Sequence, residues 1–556
     1  MSDTQKLETM EATSETEKPK VVEMKMELLD TSKQIELQES ILSPEVMRDT
    51  LRYWAGINVM GGTVNPMIVA SKEEVLEMAK RDIHEVTKVL SDAGIDYSND
   101  PMVTVESLFK EKNTKEQEIR SIERETVDKI GAKRVRMHFD EVLTHLSTIE
   151  RIFDDYGNIK ESEKSSELYT GFIQLVEYVN DLEKQGVKVE LALGPGIKHS
   201  ERTADKRHTY SVTEYELPSE EEDIKVWERY CKGIARSFPN VDLTVWVEPN
   251  FDEFVKSGRD PKKYAKAVLS AAKEIQEVDP IRKVGISMLF LDQNFAMKTL
   301  QEIKEQGSKP SDIIGYITFN PYRWGAPEAP TWTESTKKIV YRDKPEDTLS
   351  LEAFDTYEDE ISAFYRRLAE YDINDIRVGE SGYDSDNYSA HQNAVCNIRC
   401  WILDRYLWVR ETPWRAIQKE GSNSNRGFVS ENGAPTENFN AYKHLNELFT
   451  PDVVPIGEIN DPKDKSIYYK IFKNKSTDED IIVLWVSQTY DPSKKTHKRT
   501  IKLDVPADLS YSQISSIWNE ETTKQTVTGK SLSKDGIEIG DDPVILIGNL
   551  KHKELD

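Results

Sequence analysis

Cysteine is nearly absent: Cys231, Cys396 and Cys400 are the only three in 556 residues. Three thiols, each in a segment of helical period, complete neither a disulfide framework nor a zinc set, so buried or free thiols are expected. An oxidising compartment is not required. Long apolar runs are missing as well. No stretch of about 18 apolar residues occurs, which argues against a membrane-spanning helix. The first residues, from Met1 to about Val22, lack the basic start, apolar run and small-residue cleavage site of a secretory signal. Positive charge is also short, with 100 acidic residues against 74 basic ones and a formal net charge of −26. That balance disfavours nucleic acid and anionic membrane surfaces as partners, since both need clustered Lys and Arg. No Gly-rich phosphate loop, metal-ligand cluster or Ser–His nucleophile pair is found, so no cofactor and no metal are expected. These absences together lead to the expectation of a soluble, cytoplasmic protein of unknown oligomeric state, with an acidic, disordered leader over residues 1–47.

What is present is an alternation. The chain is too long for one hydrophobic core, so at least two folded units are expected. Over residues 48–450, short apolar runs alternate with longer amphipathic ones. Strand-length runs include Arg134-Val-Arg-Met-His-Phe139, Val187-Lys-Val-Glu-Leu-Ala-Leu193, Leu243-Thr-Val-Trp-Val-Glu248, Val284-Gly-Ile-Ser-Met-Leu289, Ile313-Ile-Gly-Tyr-Ile-Thr-Phe319 and Ile376-Arg-Val-Gly-Glu380. Between them, sets such as Phe172, Leu175, Val176, Val179 and Leu182 fall on one helix face and end at Gly186, a helix stop. Repeated strand–helix–strand units imply a parallel sheet, and periodicity does not choose between an open sheet and a barrel. Residues 451–556 read instead as short strands without a long helix, an all-β unit expected to be a sandwich. Polar stretches at Ser200–Glu222 and Trp324–Leu349 follow predicted strands; in a barrel they fall on the carboxyl-terminal face, where active sites lie.

Two glutamates close predicted strands: Glu248, before Pro249-Asn250, and Glu380, before Ser381-Gly382. Glu is a poor strand residue and costly to bury without a partner. On residue type and position, each reads either as a salt-bridged strand end or as half of an opposed carboxylate pair. Glycoside hydrolysis needs such a pair, one carboxyl protonating the leaving oxygen and the other capturing an oxocarbenium-like centre.

Resemblance then narrows the choice. Trp246-Val-Glu-Pro-Asn250 looks like the fourth-strand segment of clan A glycoside hydrolases. Arg134-Val-Arg-Met-His-Phe139 resembles the second strand of glycoside hydrolase family 39, the β-xylosidase and α-L-iduronidase family. Asp312-Ile-Ile-Gly-Tyr-Ile-Thr-Phe-Asn-Pro-Tyr322 resembles its sixth strand, and Arg377-Val-Gly-Glu-Ser-Gly382 the seventh, which carries the nucleophile. Gly427-Phe-Val-Ser-Glu-Asn-Gly-Ala-Pro435 with Asn440-Ala-Tyr-Lys-His-Leu-Asn446 is similar to the eighth-strand loop and final helix.

The resemblance implies a (β/α)8 barrel with a C-terminal β-sandwich and a retaining glycosidase acting on a carbohydrate. Glu248 would be the acid/base and Glu380 the nucleophile. Arg136 would lie beside Glu380 and keep it ionised, and ionised Glu380 would help Glu248 hold its proton. Arg136, His138, Asn250, Asn320, Tyr322 and Trp414 would line the sugar site. Two departures stand out. Val247 replaces an Asn whose amide bonds the sugar 2-hydroxyl, and Asn320 replaces a His. Val247 favours a rival reading, a sugar-binding barrel without turnover; a scaffold protein is a further one. Arg134 and Arg136 share a strand face, and one of them is expected to reach the site. Trp246 is expected to pack in the core.

Overall fold

The computed structural model describes residues 118, 120–138, 152–164, 167–194, 197–198, 215–251, 255, 259–322, 325–333, 336, 354–382, 389–410, 417–418, 427–430, 433–458, 466–487, 498–503 and 505–549, with the strands 20–24 and 56–59. Seven strands alternate with helices along the first part of the chain. They are β1 (Gly56–Val59), β2 (Arg134–His138), β3 (Lys188–Leu193), β4 (Asp242–Val245), β5 (Val284–Leu289), β6 (Ile314–Asn320) and β7 (Ile376–Val378). Each pairs in parallel with its predecessor, giving one curled sheet in sequential order. Arg410 forms a further parallel bridge to Arg377, where an eighth strand would lie. β5 is buried at every position and β3 at all but its first residue. Such continuous burial is what a parallel sheet covered on both faces requires.

The helices between the strands carry their own start signals. α1 (Glu167–Lys184) and α2 (Glu221–Ser237) precede β3 and β4. Asp260 caps α3 (Pro261–Val278) by accepting from the Lys262 and Lys263 amides at 3.0 Å each, with Pro261 in the first turn. α4 (Gln293–Glu305) is capped by Asp292, α5 (Tyr357–Ala369) by Thr356, and α7 (Glu437–Leu448) by Thr436. Ser389 and Gln392 form a capping box on α6 (Ala390–Tyr406). Cys231, Cys396 and Cys400 are buried free thiols on α2 and α6. No helix among the described residues is long and apolar enough to cross a membrane.

Inside the curl lies a network of charges. Glu190 on β3 pairs with Arg134, with Arg136 Nε at 3.2 Å and with Arg377 Nη1 at 3.3 Å, and accepts from Thr244 Oγ1 at 2.8 Å. Arg377 also reaches Asp242 and Asp375, at 2.7 and 2.8 Å, and its guanidinium lies 3.4 Å from the centre of the Tyr316 ring. Gly285 makes room for that ring: a β-carbon there would sit 2.1 Å from Tyr316 Cε2. Burial alone would push the Glu190 carboxyl up, but the three guanidinium groups and the Thr244 hydroxyl outweigh it and hold it at about 2.

The remainder of the chain forms antiparallel strands: β8 (Val453–Glu458), β9 (Ile467–Asn474), β10 (Glu479–Val486), β11 (Arg499–Leu503), β12 (Ser510–Ser516), β13 (Thr523–Thr528), β14 (Ile537–Ile539) and β15 (Val544–Gly548). Where a sandwich was expected, the described residues form a six-stranded sheet, β8-β9-β10-β15-β12-β13, and a three-stranded sheet. Strand periodicity splits the larger sheet between two cores. Ile482, Leu484 and Val486 join Ile501, Leu503, Ile537 and Ile539 of the smaller sheet, whereas Ile481, Val483 and Trp485 belong to the same apolar cluster as the half-barrel. The leader departs from expectation at Lys20–Met24, which pairs in parallel with β11, Lys20 opposite Arg499 and Met24 opposite Leu503. Val21 and Val22 give those five residues strand propensity within an otherwise polar segment.

Replacing Glu190 with Gln leaves three buried arginines short of their shared anion. We expect a loss of about 3–5 kcal/mol in urea unfolding at neutral pH. Because its folded-state pKa lies below the usual carboxylate range, Glu190 stabilises the fold above that range, and the benefit disappears as pH falls towards 2. The gap between wild type and Glu190→Gln should therefore shrink over that interval. A gap independent of pH would contradict this account.

Candidate active site

Glu248 and Glu380 both sit just past the carboxyl ends of their strands. The expected strand through Glu248 stops at Val245, because Trp246 and Glu248 adopt left-handed φ angles of 66° and 46°. Non-glycine residues rarely adopt that region, and such strain gathers where surrounding contacts hold it. Here the contacts are plain. The Trp246 amide donates to Leu193 O at 2.8 Å, and Trp246 is fully buried against Trp227, as expected of a core residue. Tyr264 donates its hydroxyl to Val245 O at 2.6 Å and accepts from the Ser287 amide at 2.9 Å, bracing β4 against β5. The Glu248 carboxylate, buried with the rest of its residue, receives Asn320 Nδ2 at 2.5 Å from the end of β6.

Glu380 lies two residues beyond β7, which again stops short of the strand that the sequence suggested. Its side chain is 21% exposed. Arg136 Nη1 donates to Oε1 at 3.3 Å, and the Tyr322 hydroxyl donates to Oε2. Of the two strand-face arginines, Arg136 reaches the site while Arg134 stays with Glu190. Gly379 closes the gap between the carboxylates' partners. A β-carbon there would meet Thr318 Oγ1 at 2.6 Å, Arg136 Nη1 at 2.7 Å and Asn320 Oδ1 at 2.7 Å.

Asn250 is placed differently from the expectation that it lines a sugar site. Its amide is bound into the scaffold: Nδ2 donates to Leu289 O at 3.1 Å and to Asp292 Oδ2 at 3.3 Å, and Oδ1 accepts from the Leu289 amide at 2.7 Å. Asp292 is in turn gripped by Arg259 through Nε and Nη2, at 2.9 and 3.1 Å. These bonds tie the turn after Glu248 to the end of β5. The backbone of His138 closes β2, and its side chain, like the whole of Trp414, lies outside the described residues. Val247 is buried and presents no amide.

Some participants were missed in the sequence. Ser287, Tyr264 and Asp292 act through hydrogen bonds with no short-range pattern. An apolar cluster beside the carboxylates, Leu289, Phe290 and Trp332 with the partly buried Phe251 and Tyr322, was also missed apart from Tyr322, although three of its five members are aromatic residues just after predicted strands. Among the described residues, no group of three or more His, Cys, Asp or Glu side chains could hold a metal ion.

Neither a family model nor a curated protein matches the chain. Among solved structures, the chain is similar to a family 39 glycoside hydrolase from the gut symbiont Bacteroides cellulosilyticus WH2. The TM-score is 0.50 at 15% identity, over 77% of this chain and 78% of that one. A family 51 α-L-arabinofuranosidase from Bifidobacterium longum matches at a TM-score of 0.42 and 11% identity, over 77% of this chain and 90% of that one. An α-L-arabinofuranosidase from Thermotoga maritima matches at 0.43 and 12%, over 77% and 89%. The first likeness is one of fold.

Gly379→Ala tests the packing around both carboxylates. The added methyl has to displace Thr318, Arg136 or Asn320, and a loss of about 1–3 kcal/mol is expected in urea unfolding. A crystal structure of the variant should show the Arg136–Glu380 contact lengthened. Unchanged stability together with an unmoved Arg136 would refute the close packing.

Proposed function

We propose that this chain is a glycoside hydrolase acting by retaining double displacement on an oligo- or polysaccharide. One observation carries the reading. Two glutamates stand at the carboxyl ends of β4 and β7 in a parallel β/α half-barrel, each with partners suited to a different role. The same reading takes the half-barrel as part of a closed (β/α)8 barrel over residues 48–450 and the β unit over 451–556 as a sandwich. Active sites of such barrels lie at the carboxyl ends of the strands.

Glu380, the more exposed of the two, is the nucleophile. Arg136 and the Tyr322 hydroxyl stabilise its negative charge and orient one oxygen towards the anomeric carbon. As the Glu380 oxygen bonds to that carbon, the glycosidic C–O bond breaks, and Glu248 delivers its proton to the departing oxygen. The bond from Asn320 fixes the Glu248 carboxyl for that transfer. Glu248, now ionised, then takes a proton from water, whose oxygen attacks the anomeric carbon and releases Glu380. Asn250 acts at one remove, holding the turn that presents Glu248. With Val247 apolar, the amide nearest the acid/base comes from Asn320 on β6 rather than from β4. Substrate recognition at that corner of the site rests on Asn320, with His138 and Trp414 as further proposed sugar contacts.

A panel of aryl glycosides, from β-xyloside to α-L-iduronide, tests the reading against wild type, Glu248→Ala and Glu380→Gln. Wild type should hydrolyse one member and so name the glycone. Glu248→Ala should lower kcat by about 10²–10⁴ and be partly rescued by azide, and Glu380→Gln should abolish turnover while sugar binding survives. A crystal structure should place the carboxyl groups roughly 5–5.5 Å apart. Full activity of Glu380→Gln, or a separation well beyond roughly 9.5 Å, would rule the mechanism out.

A further inference from the structure

The loop that follows β6 brings Tyr322 to Glu380 and Trp332 to the apolar cluster beside it. Its stretch over residues 325–333 is fastened from a direction a barrel alone does not provide. Glu328 is 4% exposed and accepts four side-chain hydrogen bonds. Two come from α6, Arg399 Nε at 2.8 Å and Nη2 at 2.5 Å. The other two come from the β unit: Trp485 Nε1 at 2.6 Å, from β10, and Ser487 Oγ at 2.6 Å, just beyond it. The Trp485 ring is itself stacked on Tyr468 at 5.3 Å.

The far end of the same loop is held too. Glu328 O accepts from the Tyr357 amide at 2.8 Å, so this part of the loop meets the start of α5. Glu358, in the first turn of α5, pairs with Lys470 of β9, a fully buried lysine that also pairs with Glu458 of β8. One residue pair along, Glu360 accepts from the Thr331 and Trp332 amides at 2.7 and 2.9 Å. Thr331 Oγ1 accepts from the Leu291 amide at 3.2 Å, which joins the loop to the end of β5. The β unit thus holds the loop directly at Glu328 and, through Glu358, holds the start of α5 to which the loop is bonded.

We infer that the β unit is a working part of the active site and that Glu328 is a positioning residue. By holding the β6–α5 loop, the β unit sets the Tyr322 hydroxyl against Glu380 and the Trp332 ring against Leu289 and Phe290. The catalytic consequence rests on the glycosidase reading; the mechanical one does not.

The test uses the full chain carrying Trp485→Phe and Ser487→Ala together. Phe keeps the ring on Tyr468, and the Arg399–Glu328 pair stays intact, so no buried charge is left alone. Backbone hydrogen exchange across residues 325–333 should accelerate about tenfold or more, with strands β5 and β7 unchanged. Unchanged exchange in the loop, or acceleration spread evenly over the chain, overturns the inference whether or not a substrate is known. On the aryl glycoside that wild type hydrolyses, the double variant should lower kcat about tenfold and leave KM within about twofold. In a Tyr322→Phe background it should cause no further loss, because the hydroxyl it positions is already gone. An equal tenfold loss in that background overturns the route through Tyr322. With a wild type silent on every aryl glycoside, loop exchange alone decides the mechanical claim.

Discussion

Glu190 is the anion on which the interior depends. A barrel lumen is commonly filled by layers of branched apolar side chains. Here the inside of the curled sheet holds Arg134, Arg136 and Arg377 around one carboxylate, with Asp242 and Asp375 outside them. Desolvating such a group costs several kcal/mol per ion, and only close geometry with several partners offsets it. The offset is visible in Glu190 itself, whose burial would raise its pKa but whose three cations hold it at about 2. The consequence for function runs through one side chain. Arg136 holds Nε 3.2 Å from Glu190 and donates Nη1 to Glu380, so the ion pair inside the curl also aims the guanidinium at Glu380. Remove the anion and Arg136 loses the ion pair that fixes its direction.

The same division between scaffold and site recurs at Glu248. Its left-handed backbone would relax into the strand if nothing opposed it. Tyr264 pins Val245, and Asn250 pins Leu289 from the other side of Glu248, so the strained residue lies between two fixed points. Phe290, at the end of β5, is left-handed as well, at 52°. Its amide donates to Asn320 O at 3.0 Å, joining the strained end of β5 to the residue that bonds Glu248. The carboxylate is therefore placed by backbone held in shape from three neighbouring strands.

Much of this was legible in the sequence, and the omissions have physical reasons. The strands themselves were legible as apolar runs rich in β-branched residues, because two-sided burial leaves a continuous pattern, but their order was not. Glu248 and Glu380 stood out because a carboxylate at a strand end needs a reason to be there. The same argument would have exposed Glu190, within Val187-Lys-Val-Glu-Leu-Ala-Leu193, as a buried ion, and the two strand-face arginines as its partners. Exact strand ends were not legible, since a left-handed turn at Trp246 or Glu248 is imposed by Tyr264 and Asn250 from a distance. Asn250 was expected at a sugar site from the resemblance of Trp246–Asn250; its three bonds to Leu289 and Asp292 come from positions no short-range pattern reveals. The Ile481-Ile-Val-Leu-Trp-Val486 run carried a signal of its own. An outer sheet wet on one face alternates, and this one does not, because its second face lies against the half-barrel.

That second face changes what the boundary near residue 450 means. Topology changes there, from alternating β and α to antiparallel β, but the packing does not. Phe472, Ile481, Val483 and Trp485 belong to the same cluster as Trp401 and Phe449, with Phe449 edge-on to Phe472 at 4.9 Å. Ions cross the boundary as well as apolar groups. His391 on α6 faces Glu437 at 2.8 Å and Asp542 of the β unit at 3.2 Å. Its bond to Asp542 is the leading reason its pKa is raised, to about 9. The imidazole is therefore charged at neutral pH, and its stabilising contribution is lost only as pH rises towards 9. A flexibly tethered domain would have a polar, modest interface and free relative motion. An apolar cluster continuous across the junction, an ion-paired histidine and a buried Lys470 shared between Glu358 and Glu458 oppose such motion. The two units share one continuous core, and across it contacts made on β9 and β10 reach a loop that follows β6.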